Sequence, residues 1–405
     1  MTNLTLYTSN RLEILADMLA EKIRIPLSRP FDEEIIVVQS KGMERWVSME
    51  LAGANGICAN ARFPFPDSFV HEIFKKVIKD LPEDLPFDPK KMTWKIMKVL
   101  PSLITRPGFE GLKNYLGDRG EDLKRFQLSE RISNLFDQYL LFRPEMILAW
   151  ERGEEDHWQA VLWRELVRGS ELRHRAALGE AFIGAVKNRA IDIDDFPERI
   201  CVFGISALPR FHIEILAGIS RFIEVNFFLM NPCREYWADI VSDWEMKKTI
   251  DRQRSEDVAY TDLHLEKGNS LLASMGALGR DFFNLINEFD YQEVTAFEDL
   301  GEESILSCLQ SDILNLSQRD TGIGGNAHFV GADDTSFKMH SCHSAMREIE
   351  VLYDQLLNMC EKDPSLLPKD VLVMTPDIET YAPYIQAVFG VPEDEHMRFP
   401  FTIAD

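Results

Sequence analysis

The chain has 405 residues, of which 45% are hydrophobic and 27% are charged, and its formal net charge is −23 at pH 7. This composition excludes a fibrous or intrinsically disordered protein, and the length is sufficient for two or three globular domains. The acidic excess argues against non-specific coating of nucleic acid, because such binding depends on neutralising phosphates, but it leaves open a channel lined by local basic residues.

The six cysteines lie far apart and form no CxxC pair, which is typical of reduced thiols in a cytoplasmic protein. The first residues are polar, and no apolar stretch reaches the length of a membrane helix. His340, Cys342 and His343 invite a metal interpretation, but strand alternation would place His343 on the opposite face from the other two. The sequence therefore predicts a cytoplasmic protein with no membrane segment and no metal site.

The first elements alternate between strand and helix. Residues 4–7 (LTLY) predict a strand, and Ser9 and Asn10 offer an N-cap to the helix that follows. Ile35–Val38 is a continuous β-branched run, as expected of a strand buried on both faces of a parallel sheet. A helix begins after the loop Gln39–Gly42. This order of strand, loop and helix is the geometry in which an NTPase cradles phosphate.

The loop after this strand lacks the residues of a phosphate loop. A P-loop has the pattern GxxxxGK[ST], in which backbone N–H groups surround the phosphates while a lysine and a hydroxyl reach phosphate and Mg²⁺. Here Gly42 is followed by the bulky Glu44, Arg45 and Trp46. Residues 204–209 (GISALP), where an NTPase would carry its Mg²⁺-binding acid, contain neither Asp nor Glu. The sequence predicts a degenerate ATP site with no catalytic residues.

Two predicted helices that follow the strand Ile35–Val38 in the chain are rich in lysine. Their lysines are Lys75, Lys76, Lys79, Lys90, Lys91, Lys95 and Lys98. Such residues more often form a solvated helix face than a DNA track. Phe74 and Trp94 are interleaved with them, which would suit stacking on a single strand, but core packing explains both aromatic residues equally well.

The remaining sequence predicts a helical insertion, a return to the sheet and a second α/β unit. Four segments result: residues 1–117 as the first part of an α/β domain, 118–195 as a helical insertion, 196–325 as the return segment with buried strands from Arg199 and Glu224, and 335–405 as the start of the second unit. Gly322–Asp334 is the predicted linker. Strands at 336–341 and 370–374 flank a helix over 345–360, and we expect the chain to be part of a longer protein.

Several long strings in the chain resemble the RecC family, the gamma subunits of exodeoxyribonuclease V, also called the RecBCD helicase–nuclease. Among them are IIVVQSKGMERWVSMELA, GICANARFPFPDSFV, FQLSERISNLFDQYLLFRPEMILAWE and CHSAMREIEVLYDQLL. The resemblance runs over essentially the whole chain and covers about the N-terminal third of the family's usual length. It implies an α/β fold: a superfamily-one helicase-like parallel sheet with a degenerate ATP site, a helical insertion and the start of a second helicase-like domain.

The resemblance also implies a function. RecC-like proteins are non-catalytic DNA-binding subunits in double-strand break repair and homologous recombination, where they help to split duplex ends and scan the 3′-ending single strand for a Chi sequence. The implied partners are single-stranded and forked DNA and RecB-like and RecD-like subunits. The implied cofactors, ATP and Mg²⁺, are used by those partner subunits, and none is expected to bind this segment.

Ten positions match those through which the family contacts the strand. They are Gln39, Lys41, Arg45, Phe65, His71, Asn134, Leu135, Asp137, Arg143 and Arg175. Gln39, Leu135, Asp137 and Arg143 follow the family pattern, whereas Lys41, Arg45, Phe65, His71 and Asn134 depart from it. Base specificity depends on where donors and acceptors stand, so the departures bear on which sequence is read, while the resemblance still implies a strand-binding channel.

Two alternatives remain open at this stage. One is an active ATP-dependent helicase or nuclease subunit of the AddB type, with its catalytic parts beyond residue 405; the missing phosphate loop weighs against it. The other is an α/β interaction module without a DNA role, which the acidic net charge alone supports.

Overall fold

The computed structural model of the chain describes residues 3–29, 31–78, 81, 87–117, 122–169, 174–189, 191–193, 196–242, 244–245, 247, 268–319, 331, 333–390 and 399–403. The chain divides into two compact units. The larger unit comprises Met1–Leu300 and Gln310–Asn326, and the smaller unit comprises Gly301–Leu309 and Ala327–Asp405. Most of the predicted linker Gly322–Asp334, as well as Lys79, lies outside the described residues.

The larger unit is built on a six-stranded sheet in which every neighbouring pair of strands is parallel. The strand order is β3-β2-β4-β5-β1-β6. The strands are β1 (Leu4–Ser9), β2 (Glu34–Val37), β3 (Ala61–Arg62), β4 (Arg199–Phe203), β5 (Glu224–Met230) and β6 (Gln292–Thr295). The predicted α/β class with a parallel sheet is therefore confirmed.

Helices account for most of the other described residues. They are α1 (Leu12–Ile23), α2 (Lys41–Asn55), α3 (Pro66–Val77), α4 (Pro89–Leu103), α5 (Glu110–Leu116), α6 (Asp122–Phe142), α7 (Pro144–Glu151), α8 (Trp158–Val167), α9 (Arg175–Lys187), α10 (Arg210–Ile219), α11 (Ser270–Met275), α12 (Ala277–Ile286), α13 (Ile305–Leu314), α14 (Ala345–Lys362) and α15 (Ile378–Phe389). In the part of the chain that the structure describes, no helix is both long enough and apolar enough to cross a bilayer.

The inner strands β2 and β4 are buried on both faces, as their continuous apolar runs require, whereas the edge strand β6 is exposed. Alternate residues of each strand point to opposite faces, so Ile36 and Val38 pack with α1 and α2, while Ile35 and Val37 face a second core that includes α3, α9, α10 and α12. Cys201 of β4 is fully buried on the α1–α2 side, and burial raises the pKa of its thiol to about 12. It packs there as a small apolar side chain.

A third core lies within the helices and holds the predicted insertion together. Its largest side chains include Phe136, Trp150 and Trp163, whose rings meet edge to face. Met92 and Ile96 of α4 belong to the same core, so α4 packs against the helices that follow it in sequence. The domain boundaries given above stay a prediction.

A buried ion pair ties the start of β4 to β2. The Arg199 side chain is 4% exposed and donates two hydrogen bonds to the Glu34 carboxylate. It also donates to the carbonyl oxygens of Lys22 and Ile25 at the end of α1. A buried guanidinium needs acceptors for its N–H groups, and these hydrogen bonds occupy four of the five.

Three local predictions were wrong. The N-cap of α1 is Arg11, because the Asn10 side chain instead pairs with the backbone of Glu298. The described residues 336–341 and 370–374 form no strand, although both have apolar, β-type sequences. Met339 and Met374 are each 84% exposed. Hydrogen bonding along a strand needs a neighbouring strand, and the described part of the smaller unit contains none.

The smaller unit is instead two packed helices. Buried Ile349 and Leu356 of α14 meet Phe389 at the end of α15, and the ring of Tyr353 lies edge-on to Phe389 with centroids 5.0 Å apart. That this unit is the start of a second α/β domain stays a prediction.

Candidate nucleic-acid interface

In the loop between β2 and α2, a side chain of the loop itself caps the N-terminus of the helix. Ser40 is the N-cap of α2, and its hydroxyl accepts a hydrogen bond from the Met43 N–H at 3.1 Å. This hydroxyl satisfies one of the N–H groups that a P-loop would direct at phosphate.

The space beside the loop is filled as well. Gly204, at the end of β4, has φ +63°, and a β-carbon added there would lie 3.0 Å from Met43 Cε and 3.6 Å from Leu12 Cδ2. A side chain at position 204 would therefore press against the Met43 side chain. Among the residues that the structure describes, no three His, Cys, Asp or Glu side chains are grouped to hold a metal ion.

The outer surface of the same loop is polar and accessible. Gln39, Lys41 and Arg45 are exposed. The Lys41 ammonium forms an ion pair with Glu44 at 2.6 Å and lies 5.5 Å from the ring centroid of Phe65. Phe65 is 37% exposed, so an aromatic ring with a cation beside it faces solvent here.

Phe65 leads directly into a set of charged residues. It is the N-cap residue of α3, whose first turn carries Asp67. The Asp67 carboxylate lies 2.9 Å from His212 Nε2 and 3.6 Å from the Arg175 guanidinium. Arg175 in turn lies 3.9 Å from the carboxylate of Asp137 on α6. We call Asp67, Asp137, Arg175 and His212 the charged cluster.

The two acids of the charged cluster are perturbed in opposite directions. The hydrogen bond from His212, together with the charge of Arg175, lowers the pKa of Asp67 below its ordinary value despite partial burial. Burial raises the pKa of Asp137, and the negative charges of Asp67 and Asp88 add to this effect, while Arg175 opposes it. One guanidinium is therefore shared between two carboxylates that repel each other.

A cavity of about 360 Å³ opens beside the charged cluster. It is lined by Asp67, Val70, His71, Phe74, Phe87, Asp88, Lys91, Arg175, Phe211 and His212. Most of these residues lie in or beside the first turns of α3, α4, α9 and α10, whereas His71 and Phe74 lie further along α3. The helix N-termini stabilise the carboxylates of Asp67 and Asp88. The cavity combines aromatic walls with cationic and anionic groups, a combination that suits a nucleotide.

The structure links some of the ten sequence-predicted residues and separates others. Lys41 contacts Phe65, Arg175 contacts Asp137, and His71 lines the same cavity as Arg175. Asn134 and Leu135 lie on α6, exposed and half-buried respectively. Arg143, the exposed N-cap of α7, stands nine residues further along the chain, about 14 Å at the rise of a helix.

Sequence reasoning missed Asp67 and His212 as members of the site, and it weighed Lys91 only as one lysine of a helix face. Asp67 had a usable signal, because an acid directly after Pro66 marks the first turn of a helix. His212 had none: it lies in the apolar face of α10 and is separated from Asp67 by 145 positions in sequence.

Comparison with known proteins gives a consistent result. The family described as "RecC, N-terminal domain" matches residues 4–316. The RecBCD enzyme subunit RecC of Escherichia coli (strain K12) is 38% identical over 99% of this chain and 39% of its own length. The corresponding subunit of Haemophilus influenzae is 37% identical over 98% of this chain and 40% of its own length, and that of Mycolicibacterium smegmatis is 31% identical over 96% and 34%. The chain thus spans about two fifths of the length of these relatives.

Proposed function

This chain belongs to the RecC family, and from that premise we propose that it is a non-catalytic, single-strand-binding part of a RecBCD-type enzyme in double-strand break repair and homologous recombination. Its partners are single-stranded and forked DNA and RecB-like and RecD-like subunits, which use ATP and Mg²⁺. Its role is to help split duplex ends and to scan the 3′-ending strand for a Chi-like sequence. The cytoplasmic location expected from the sequence stays a prediction.

The observation that carries this proposal is that the Lys41–Phe65 contact lies two residues along the chain from Asp67, which Arg175 joins to Asp137 by ion pairs. Lys41 and Arg175 supply cations for phosphates, Phe65 supplies a ring for a base, and the carboxylates can accept hydrogen bonds from base amino groups. Arg175 already balances Asp67 and Asp137, so a phosphate can exchange with a carboxylate as its partner. Binding of that kind depends strongly on salt.

The filled loop supports a non-catalytic role for this segment. Ser40 caps α2, and Met43 lies against Gly204, so neither phosphate nor Mg²⁺ would find the usual ligands or the usual space. The AddB-type alternative needs ATP hydrolysis, and this geometry weighs against hydrolysis at this position. The superfamily-one helicase-like ancestry of the parallel sheet belongs to the proposal, as do the roles of the ten predicted residues.

The test is binding of the chain to a fluorescent single-stranded oligonucleotide across a salt series, with Lys41→Ala and Arg175→Ala. Each substitution removes a cation, so we expect weaker binding and a salt slope smaller by about 0.7 for each phosphate that is no longer neutralised. Lys362→Ala and Arg347→Ala change the same residue types on α14 in the smaller unit and serve as matched controls. Binding to which neither Lys41 nor Arg175 contributes would refute the proposed site.

A further inference from the structure

Helix α4 exposes an aromatic residue in the middle of a cationic face. Its buried side consists of Met92, Thr93, Ile96, Leu100 and Leu103. The opposite side carries Lys90, Lys91, Trp94 and Lys98, all of which are exposed. These four residues follow the helical spacing of three and four positions, so they form one stripe, which we call the α4 face. With Lys95, the helix has four lysines and no acidic residue in a protein of net charge −23.

Trp94 is the unusual member of the α4 face. Trp94 is 62% exposed. Phe74, the other aromatic residue that lies between lysines in the sequence, is 2% exposed and belongs to the core. The indole is supported on one side by Phe126 of α6, with ring centroids 5.5 Å apart. A large ring kept in solvent and held by a second ring marks a contact surface more than a packing residue.

Among the described residues around Trp94, positive charge predominates on the α4 face. Asp88 is the N-cap of α4, and its carboxylate accepts a hydrogen bond from the backbone N–H of Lys90 at 2.9 Å. On α6, Asp122 pairs with Arg125 at 2.6 Å. Glu130 is an exposed acid on the same helix, and the exposed Arg131 follows it.

The α4 face is continuous with the cavity beside the charged cluster. Asp88 and Lys91 line that cavity, and Lys91 precedes Trp94 by three residues, so the two share one side of the helix. From Asp88 to Lys98 the helix rises about 15 Å. That length matches roughly four nucleotides at the stacked spacing of about 3.4 Å per strand.

We propose that the α4 face is a stacking platform for single-stranded DNA, on which a base stacks against Trp94 while Lys90, Lys91 and Lys98 neutralise the flanking phosphates. This inference rests on the proposed function and extends the strand path beyond the ten positions expected from the family. Lysines act as point charges toward phosphates, and an indole accepts the flat face of any base. In a duplex those faces are stacked, so the platform selects single strands without selecting a sequence.

An acidic protein segment could also bind the α4 face. Its carboxylates would pair with the lysines, and no base would stack on Trp94. The test therefore varies the bases. Binding of the full chain to a fluorescent oligothymidylate is compared with binding to the same strand carrying abasic positions, for the unchanged protein, Trp94→Ala and Trp94→Phe. Trp244→Ala is the matched control, because that tryptophan is 67% exposed and lies outside α4.

Trp94→Ala is expected to weaken binding of the intact strand by roughly 5-fold to 150-fold, the range given by loss of one base–aromatic stack, while Trp94→Phe keeps most of the affinity. Abasic positions should remove most of the difference between the unchanged protein and Trp94→Ala. An equal loss on intact and abasic strands would overturn stacking in favour of charge alone, and unchanged binding by Trp94→Ala would overturn the platform entirely.

Lys41→Ala and Arg175→Ala in the same assay separate this inference from the proposed function. If they weaken binding and Trp94→Ala does not, the platform falls and the proposed site stands. If Trp94→Ala alone weakens binding, the platform stands and the assignment of Lys41 and Arg175 falls. An unchanged chain that binds no single strand overturns both.

Discussion

The loop before α2 and the part of the charged cluster at Arg175 each include the N-terminus of a helix, α2 and α9 respectively. Both are capped by their own side chains: Ser40 caps α2, and His174 Nδ1 accepts from the Ala177 N–H at the start of α9. Their surroundings differ. Met43 packs against Gly204 beside α2, whereas α9 begins with Arg175 between two carboxylates beside an open cavity.

One helix start is closed by packed side chains, and the other is bordered by ion pairs and a cavity. At the loop, polar groups are satisfied within the chain and the remaining volume is apolar, so an incoming phosphate would have to displace packed atoms. At the charged cluster, the ionic partners are themselves exchangeable, so an incoming phosphate replaces one anion by another. Substitutions at each place should therefore have different consequences, stability at the first and binding at the second.

The largest effect is expected where the loop is packed. Gly204→Ala should lower the free energy of unfolding by about 2–3 kcal/mol, because φ +63° is unfavourable for alanine and the new methyl meets Met43 Cε at 3.0 Å. Gly153→Ala is the matched control, since Gly153 has φ +79° with nothing within 4 Å of an added β-carbon. It should cost only about 1 kcal/mol, the backbone contribution. Urea denaturation measures both.

Equal decreases in the free energy of unfolding for Gly204→Ala and Gly153→Ala would show that the Met43 side chain moves aside and that the space at the end of β4 can accept a side chain. A second comparison sharpens the result. In a Met43→Ala background, the cost of Gly204→Ala should fall toward that of Gly153→Ala, because the contacting methyl group has been removed and the backbone contribution remains.

The sequence predicts features that depend on neighbouring residues better than features that depend on residues far apart in the chain. The β-branched run Ile35–Val38 indicates a doubly buried strand from local pattern alone, and the structure agrees. The similar run at 370–374 does not form a strand, because pairing depends on a neighbour that local sequence does not specify. The same limit applies to the site. Lys41 and Phe65 could be named together through the family resemblance, whereas no pattern in the sequence indicates that Asp67 and His212 would meet, because they are 145 positions apart.

A smaller effect is expected from the cap of α2. Ser40→Ala should lower the free energy of unfolding by about 1 kcal/mol, because alanine lacks the accepting oxygen, and Ser40→Gly should lower it by a few tenths, the usual cost of glycine at an N-cap. Ser40→Asp keeps an accepting oxygen and should preserve stability, but it adds a negative charge next to Lys41. If the loop surface faces the strand, Ser40→Asp weakens single-strand binding while Ser40→Ala leaves it nearly unchanged; equal binding by both would place the strand elsewhere.

The smallest effects come from the charged cluster, and their signs distinguish its two acids. The pKa of Asp67 is lowered in the folded state, so its ionised form stabilises the fold above the unfolded pKa, and this contribution is lost as the pH falls through the folded pKa. The pKa of Asp137 is raised, so its ionised form disfavours folding above that pKa, and acidification removes the penalty. At pH 7, Asp67→Asn should therefore destabilise the chain and Asp137→Asn should stabilise it.

Each change should be on the order of 1 kcal/mol or less, since the Asp67 side chain is 57% exposed and solvent screens its ion pairs. Urea denaturation at pH 7 and again near pH 3 to 4 measures the difference between each variant and the unchanged chain. The Asp137→Asn difference should shrink at the lower pH, because the raised pKa of Asp137 leaves its carboxyl largely protonated there, the form that asparagine imitates. The Asp67→Asn difference should persist further and disappear only as the pH falls through the lowered folded pKa of Asp67. Shifts of the same sign at pH 7 would mean that Arg175 stabilises both carboxylates fully, and the cluster would then have no carboxylate to release to an incoming phosphate.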